Sequence, residues 1–288
     1  MKKPLQCVKQ QANDLVNKAG EQGVDATHLQ DEIDNVNDRI NDLQAKLDDR
    51  CNELQSAATA VAQFNDQAKS ISQHLSALEK DLDSMKAPGR EIKIVRGQLE
   101  DTAKIISRIN KLFEEIGDLQ NRGERLVDYG FAADAVATRD QVDGFKRQIG
   151  KLDERARTRE DELTSTLNKL QEFYQLHANV MEGINDANEQ VRRFKPVGSE
   201  VDSIKAQQED FRTLKVKRIE PLAHAVEDCN ALGQGLIQTA GRDVNTSNIE
   251  RDVDKMNERW NDLKDRVSIR SVFKCIYIFL SPIYLCEN

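Results

Sequence analysis

Catalysis or metal binding would need nucleophiles, bases or ligands brought together, and the residues able to supply them are dispersed along this 288-residue chain. The four histidines, His28, His74, His177 and His224, fall in no HExxH-type spacing that would set two imidazoles on one helical face. Cys7, Cys51, Cys229, Cys275 and Cys286 form an odd set without a CxxC pair, which reads as free thiols of a reducing compartment. Phosphate-cradling GxxxxGK[ST] and GxGxxG loops are missing from the sequence. Carboxylate pairs such as Asp31-Glu32 and Asp48-Asp49 are abundant, but on charged helices such pairs are solvated surface and not acid–base partners. The reading is of a non-enzyme with no catalytic, cofactor-binding or metal-ligating residue, and no cofactor.

The elements that would have to position any chemistry are instead patterned for packing. A four-rung apolar ladder occurs three times: Ile33/Val36/Ile40/Leu43, Val142/Phe145/Ile149/Leu152 and Val253/Met256/Trp260/Leu263. Steps of three, four and three residues place each set on one face of an α-helix. Ile40 and Ile149 are 109 positions apart, Ile149 and Trp260 are 111, so a large unit is being copied, as in a stacked array. Upstream of each ladder comes an apolar pair followed by glycine: Leu15-Val16 with Gly20, Leu126-Val127 with Gly130, Leu236-Ile237 with Gly241. These glycines are expected to stop helices, and Asp25, Asp134 and Thr246 to cap the next ones.

Charged residues make up 32 % of the chain and aromatics 5 %, with a net charge of -8. Apolar groups must then be gathered into narrow stripes, which suits long helices with wet flanks. Acidic and basic residues alternate finely, predicting local ion pairs along solvated faces. The densest basic runs, Arg192-Arg193-Lys195 and Lys215-Lys217-Arg218, have no interleaved stacking aromatics and are read as solvated faces, so nucleic acid is not expected as a partner.

No glycine or proline occurs between Gly23 and Pro88, and Leu47, Leu54, Val61, Phe64, Ile71, Leu75, Leu78 and Leu82 carry the helical rhythm onward. One unit's last helix is therefore expected to run unbroken into the next unit's first. Pro88-Gly89 breaks the chain before a second long stripe from Ile92 to Leu126, and a third follows Gly130. Phe173, Val180, Ile184 and Val191 stand 109 residues after Phe64, Ile71, Leu75 and Leu82, with Lys195-Pro196-Val197-Gly198 as the matching turn. Pro221 has no counterpart in the preceding copy and predicts a kink near Arg218, tolerated on the wet side. Gly150 should soften its helix by about 1 kcal/mol, and Trp260, on a ladder rung, is read as core.

The architecture expected is all-α: tandem three-helix antiparallel coiled-coil bundles joined by continuous helices. Residues 1–53 form a partial repeat, comprising the end of a second helix and a third helix; 54–162 and 163–268 form full repeats; 269–288 is an atypical apolar tail. The chain begins inside a repeat, so a longer natural protein is expected. Truncating single ladder residues should cost roughly 2 to 5 kcal/mol each.

Three helices per copy and the motif Asn257-Glu258-Arg259-Trp260-Asn261-Asp262-Leu263 resemble spectrin repeats over about residues 5 to 268. Ile71, Val180, Ile40 and Ile149 stand where many such repeats carry tryptophan. Phe194-Lys195-Pro196-Val197-Gly198, Ile219-Glu220-Pro221-Leu222 and Leu232-Gly233-Gln234-Gly235-Leu236-Ile237-Gln238 are similar to rod repeats of the spectraplakin (plakin) family. The resemblance implies a cytoplasmic, cytoskeletal linker whose calponin-homology domains hold actin and whose distant C-terminal module holds microtubules. Both lie outside these residues, so the partners implied are neighbouring spectrin repeats and, indirectly, actin, microtubules and intermediate filaments.

From Val272 to Cys286 the composition turns apolar, interrupted by Lys274 and Pro282. Fifteen such residues fall short of the roughly 20 needed to span a bilayer, so a membrane is not an expected partner and the tail is read as a splice- or prediction-derived end. The function expected is a structural rod or spacer that sets distance and bears tension between filament-binding ends, spanning on the order of 100 Å. The alternatives are an adaptor whose repeats dock another protein, or a tail-anchored membrane-associated protein.

Overall fold

The computed structural model describes residues 2–128, 130, 135–195 and 200–284, and side chains in all of these except 2–6, 29, 201 and 270–284. Among them the chain is helical with no strand. The helices are α1 (Lys2–Glu21), α2 (Thr27–Asp83), α3 (Ile92–Asp128), α4 (Ala135–Arg193), α5 (Val201–Leu214), α6 (Glu220–Gln238) and α7 (Ser247–Tyr284), with a π turn at Lys215–Ile219 between α5 and α6. α2 and α4 run for 57 and 59 residues without interruption; the absence of glycine and proline predicts this for α2, whereas α4 stays helical through Gly144, Gly150 and Gly183. The fold is an all-α assembly of coiled-coil bundles.

Helix ends follow local backbone chemistry. Gly20 lies inside α1, and the stop is Gly23 instead, at φ +66. Gly23 N–H bonds the Gly20 carbonyl at 3.2 Å and Val24 N–H bonds that of Ala19 at 3.0 Å, a Schellman closure that needs the left-handed residue three positions later than the sequence suggested. Gly130 stops α3 as expected, at φ +68 with its N–H on the Val127 carbonyl. The expected Gly241 stop is different: α6 ends at Gln238, and a Cβ on Gly241 would come within 3.0 Å of the Ala87 Cβ, so this glycine allows two chain segments to approach.

Asp25 accepts from the Thr27 amide and hydroxyl at the start of α2, and these bonds hold its carboxyl below the usual value. Thr246 caps α7: its carbonyl accepts from Ile249 and Glu250 N–H, and its hydroxyl donates to Glu250 Oε1 at 2.6 Å. Asp134 and Pro196-Val197-Gly198 lie outside the described residues. At Pro221 the backbone stays right-handed helical, and the perturbation expected near Arg218 takes the form of the π turn, in which Glu220 N–H reaches the Lys215 carbonyl. Widening the turn relieves the proline ring's conflict with the preceding carbonyls.

The chain forms two compact units: Met1–Gln73 with Glu115–Phe145, and His74–Glu114 with Lys146–Asn288. In the first, α2 contributes Phe64, Ala68 and Ile71, α3 contributes Ile116, Leu119 and Leu126, and α4 contributes Val142 and Phe145, all buried. Gly123 leaves room for Phe64, which a Cβ there would meet at 3.1 Å. The rest of this unit is open: Leu15 of α1 and Val36, Leu43, Leu47 and Leu54 of α2 are exposed, with Ile33 and Ile40 half-buried. The first ladder is thus not buried, because α1 and α2 alone cannot enclose each other's far sides.

The second unit closes the last two rungs of the second ladder and all of the third. Ile149 and Leu152 are buried, and Val253, Met256, Trp260 and Leu263 pack with Phe173, Val180, Ile184, Val226 and Cys229 in one core. Trp260 is a core residue, with the Lys264 ammonium 6.0 Å from its ring centroid. Gly233 admits Phe173 just as Gly123 admits Phe64, at 3.0 Å from a hypothetical Cβ. Surface charges pair locally, as Arg157–Asp153 at 2.8 Å and Arg266–Asp262 at 3.1 Å, in the solvated pattern that finely alternating charges predict. α7 continues to Tyr284, beyond the repeat boundary expected at residue 268.

Candidate functional site

If the chain is a mechanical element, its working parts are the places where one bundle hands over to the next, and the second unit contains one. Arg155 of α4 pairs with Asp83 of α2 at 2.6 Å, and Arg159 donates to the Lys86 carbonyl at 2.6 Å, across 72 and 73 residues of sequence. Further along, Arg259 of α7 donates to Asn185 of α4, and His177 meets the Asp252 carbonyl, across 74 and 75 residues. A constant offset means parallel helices. α4 is therefore the last helix beside α2 and the first helix beside α7, with α3 and α6 running antiparallel between, as Arg108–Asp81 and the reciprocal 2.9 Å amide bonds of Asn230 and Asn257 show.

The handover is organised around Arg90, which is only 5 % exposed. It sits in the α2–α3 loop and reaches the end of α6. Nε donates to the Leu236 carbonyl at 2.6 Å, Nη1 to the Pro88 and Gly89 carbonyls at 3.0 and 3.1 Å, and Nη2 to Thr239 Oγ1 at 3.2 Å. Leu236 is in the last turn of α6, whose carbonyls lack intrahelical donors and carry the negative end of the helix dipole. The guanidinium fills both deficits at once. Burial lowers its pKa from the ordinary value, yet an arginine so bonded stays charged at neutral pH.

Neighbouring residues hold that geometry. Gln98 of α3 accepts from Gly89 N–H at 2.9 Å and donates to the Ala87 carbonyl at 2.9 Å, tying the loop to its own helix. Asn248 of α7 donates to Glu91 at 3.2 Å. Val95, fully buried, enters the core shared by Phe173, Leu236 and Ile249. Side chains from α3, α4, α6 and α7 are therefore held in one hydrogen-bonded and apolar joint.

The chemistry of this joint is that of holding and not of reacting. His177 stacks on Phe173 with centroids 5.9 Å apart and spends one ring nitrogen on the Asp252 carbonyl. Burial, with Asp252 and Glu91 nearby, pushes the Tyr174 hydroxyl up. Burial likewise pushes the Cys229 thiol up to about 11, away from the thiolate that nucleophilic chemistry requires. Among the described residues no group of three or more histidines, cysteines or carboxylates is placed to hold a metal, and no helix is long and apolar enough to cross a membrane. His28 and His224 are exposed beside Glu32 and Glu227.

Sequence reading missed Arg90, Gln98, Gly123 and Gly233. The glycines were legible in principle: Gly123 and Gly233 recur 110 residues apart, as do the phenylalanines they admit, at 109. Nothing local marks Arg90, whose long-range acceptors lie 146 and 149 residues away.

Residues 168–272 match the spectrin repeat. Over 248 residues, 86 % of this chain, the sequence is 27 % identical to the mouse protein "Microtubule-actin cross-linking factor 1, isoforms 1/2/3/4". The human counterpart, isoforms 1/2/3/4/5, is 27 % identical over 252 residues, again 86 % of the chain. Mouse isoforms 6/7 are 23 % identical over 267 residues, 91 % of the chain. The chain spans about 3 % of the length of the first two relatives and 8 % of the third.

Proposed function

We infer that this chain, similar to the spectrin repeat and to microtubule-actin cross-linking factor 1, is a non-catalytic rod segment of a cytoskeletal linker, setting distance and bearing tension between filament-binding parts outside these residues. The observation that carries this is the shared helix: α4 serves one bundle and then the next at nearly the same offset, 72–73 and then 74–75 residues, with Arg90 tying the two at the handover. A helix that never breaks passes load by its own hydrogen bonds and needs no flexible linker. Residues 54–162 and 163–268 act as the full repeats, 1–53 as a partial one and 269–288 as an appended tail. On this reading the partners are neighbouring repeats and, indirectly, actin, microtubules and intermediate filaments, and the compartment is the cytoplasm.

Under load the bundles open one after another, because each closed core is stabilised by its own ladders. Stretching the whole chain between handles in single-molecule force spectroscopy is expected to give successive unfolding steps. A single all-or-none event releasing the full contour would overturn the modular strut.

A further inference from the structure

The two basic runs read from the sequence as separate solvated faces are brought together by the fold. Arg193 and Lys195 at the end of α4, and Lys217 and Arg218 in the π turn, line one groove of about 540 Å³ with Gln190, Phe194, Asp210 and Leu214. All four cations are exposed. Arg193 is engaged by Glu189 at 3.1 Å, while Lys195, Lys217 and Arg218 make no ion pair among the described residues. Basic residues at the end of α4 complement its dipole and need no further explanation. Lys217 and Arg218 sit where no helix ends, so dipole complementarity does not account for them.

The floor of the groove is apolar. Leu214 is buried and Phe194 half-buried, its ring set edge-on to Phe211 with centroids 5.8 Å apart. A volume of this size accommodates a few side chains. The cations come from the end of α4 and the residues just past it and from the π turn, and the helix end among them is a carbonyl-bearing one, not an amide-bearing one. That arrangement disfavours a compact phosphate, which seeks converging donors and helix N-termini, and favours carboxylates spaced along a chain with an apolar side chain between them.

We propose that this groove docks an acidic peptide segment, its carboxylates on Lys195, Lys217 and Arg218 and an apolar side chain against Phe194 and Leu214. The π turn contributes by presenting Lys217 and Arg218 beside the end of α4, and π turns are frequent at functional sites. The strut role does not depend on this groove, and the two fail separately: docking leaves the force response untouched.

The probe is a fluorescein-labelled dodecapeptide of Glu-Glu-Leu-Glu repeats, titrated with the full chain and read by fluorescence anisotropy. Saturable binding that weakens with added salt is expected, lost when the probe's glutamates are replaced by glutamines and weakened when its leucines become serines. The double variant Lys217→Glu/Arg218→Glu should bind at least about tenfold more weakly, with the same thermal melt by circular dichroism because both side chains are exposed. If that variant melts lower, Lys195→Glu, outside the π turn, carries the test with a loss of several-fold. Equal affinity of the variants and the parent chain would overturn the proposal. So would binding to phosphoinositide-containing vesicles with no binding of the peptide.

Discussion

Two ladders of identical spacing meet different fates in this molecule. Ile33/Val36/Ile40/Leu43 and Val253/Met256/Trp260/Leu263 are each embedded in nearly the same polar motif, yet Val36 and Leu43 are 53 % and 61 % exposed while Met256 and Leu263 are fully buried. The difference is company. α7 lies against both α4 and the α5–α6 arm, whereas the front of α2 has α1 along one side and nothing described on the other. Periodicity declares which face of a helix is apolar; only a third helix turns that face into a core.

The largest test of this contrast places a charge on the second rung. Met256→Asp should cost more than about 4 kcal/mol and melt the second unit, because an unpaired carboxylate cannot be solvated there. Val36→Asp, at the equivalent rung, should shift the melt by roughly 0.5 kcal/mol or less. Equal losses in chemical denaturation would mean that both ladders are covered in solution. One step smaller, Leu263→Ala is expected to cost roughly 2 to 5 kcal/mol, and Leu43→Ala a few tenths.

Arg90→Met probes the joint in place of a ladder. It keeps the apolar stem but removes the donor to the Leu236 carbonyl, while the Thr239 hydroxyl keeps its bond to the Gly235 carbonyl, which should cost about 1 to 3 kcal/mol. Hydrogen exchange should speed up in the last turn of α6 and stay unchanged in α1. Uniform acceleration would show that Arg90 acts on global stability and not on the handover.

Two glycines sharpen the comparison with effects near 1 kcal/mol and opposite sign. A Cβ on Gly233 would meet Val253 at 2.7 Å and Phe173 at 3.0 Å, whereas one on Gly150 would meet nothing within 4 Å. Gly233→Ala should therefore lose about 1 to 3 kcal/mol by overpacking, and Gly150→Ala should gain about 1 kcal/mol from helix propensity. A gain in both thermal melts would mean that the core yields around Phe173.

The smallest effect is a dependence on pH. The Cys229 thiol is raised from 9.0 to about 11. Above pH 9 the unfolded chain releases this proton while the folded chain keeps it, so stability falls as pH rises from 9 towards 11 and is unaffected below. Cys229→Ala should flatten that decline in urea melts. At neutral pH a maleimide should label the exposed Cys7 and Cys51 quickly and Cys229 only on unfolding.

Much of the fold was legible because helices are built from local bonds. The long breaker-free stretch after Gly23 became α2, Gly130 and Thr246 acted as stop and cap, and the copy distance near 110 residues reappeared as matched Phe–Gly packing. Where local reading failed, a neighbour intervened. Gly20 yielded to Gly23 because the closing bonds choose the left-handed position, and the Pro221 kink became a π turn because the helix could keep its register by widening. Of the sites, the basic runs were visible as runs, but their meeting in one groove was not.

What the sequence determined by itself is therefore the secondary structure, the copy length and the face each helix offers, since all three depend on hydrogen bonds and side-chain directions within a few residues. What the tertiary structure alone decided is which faces are covered, where Arg90 finds its carbonyls and which charges share a groove. Those outcomes depend on groups tens to more than a hundred residues apart along the chain, and burial is a property of the partner as much as of the residue.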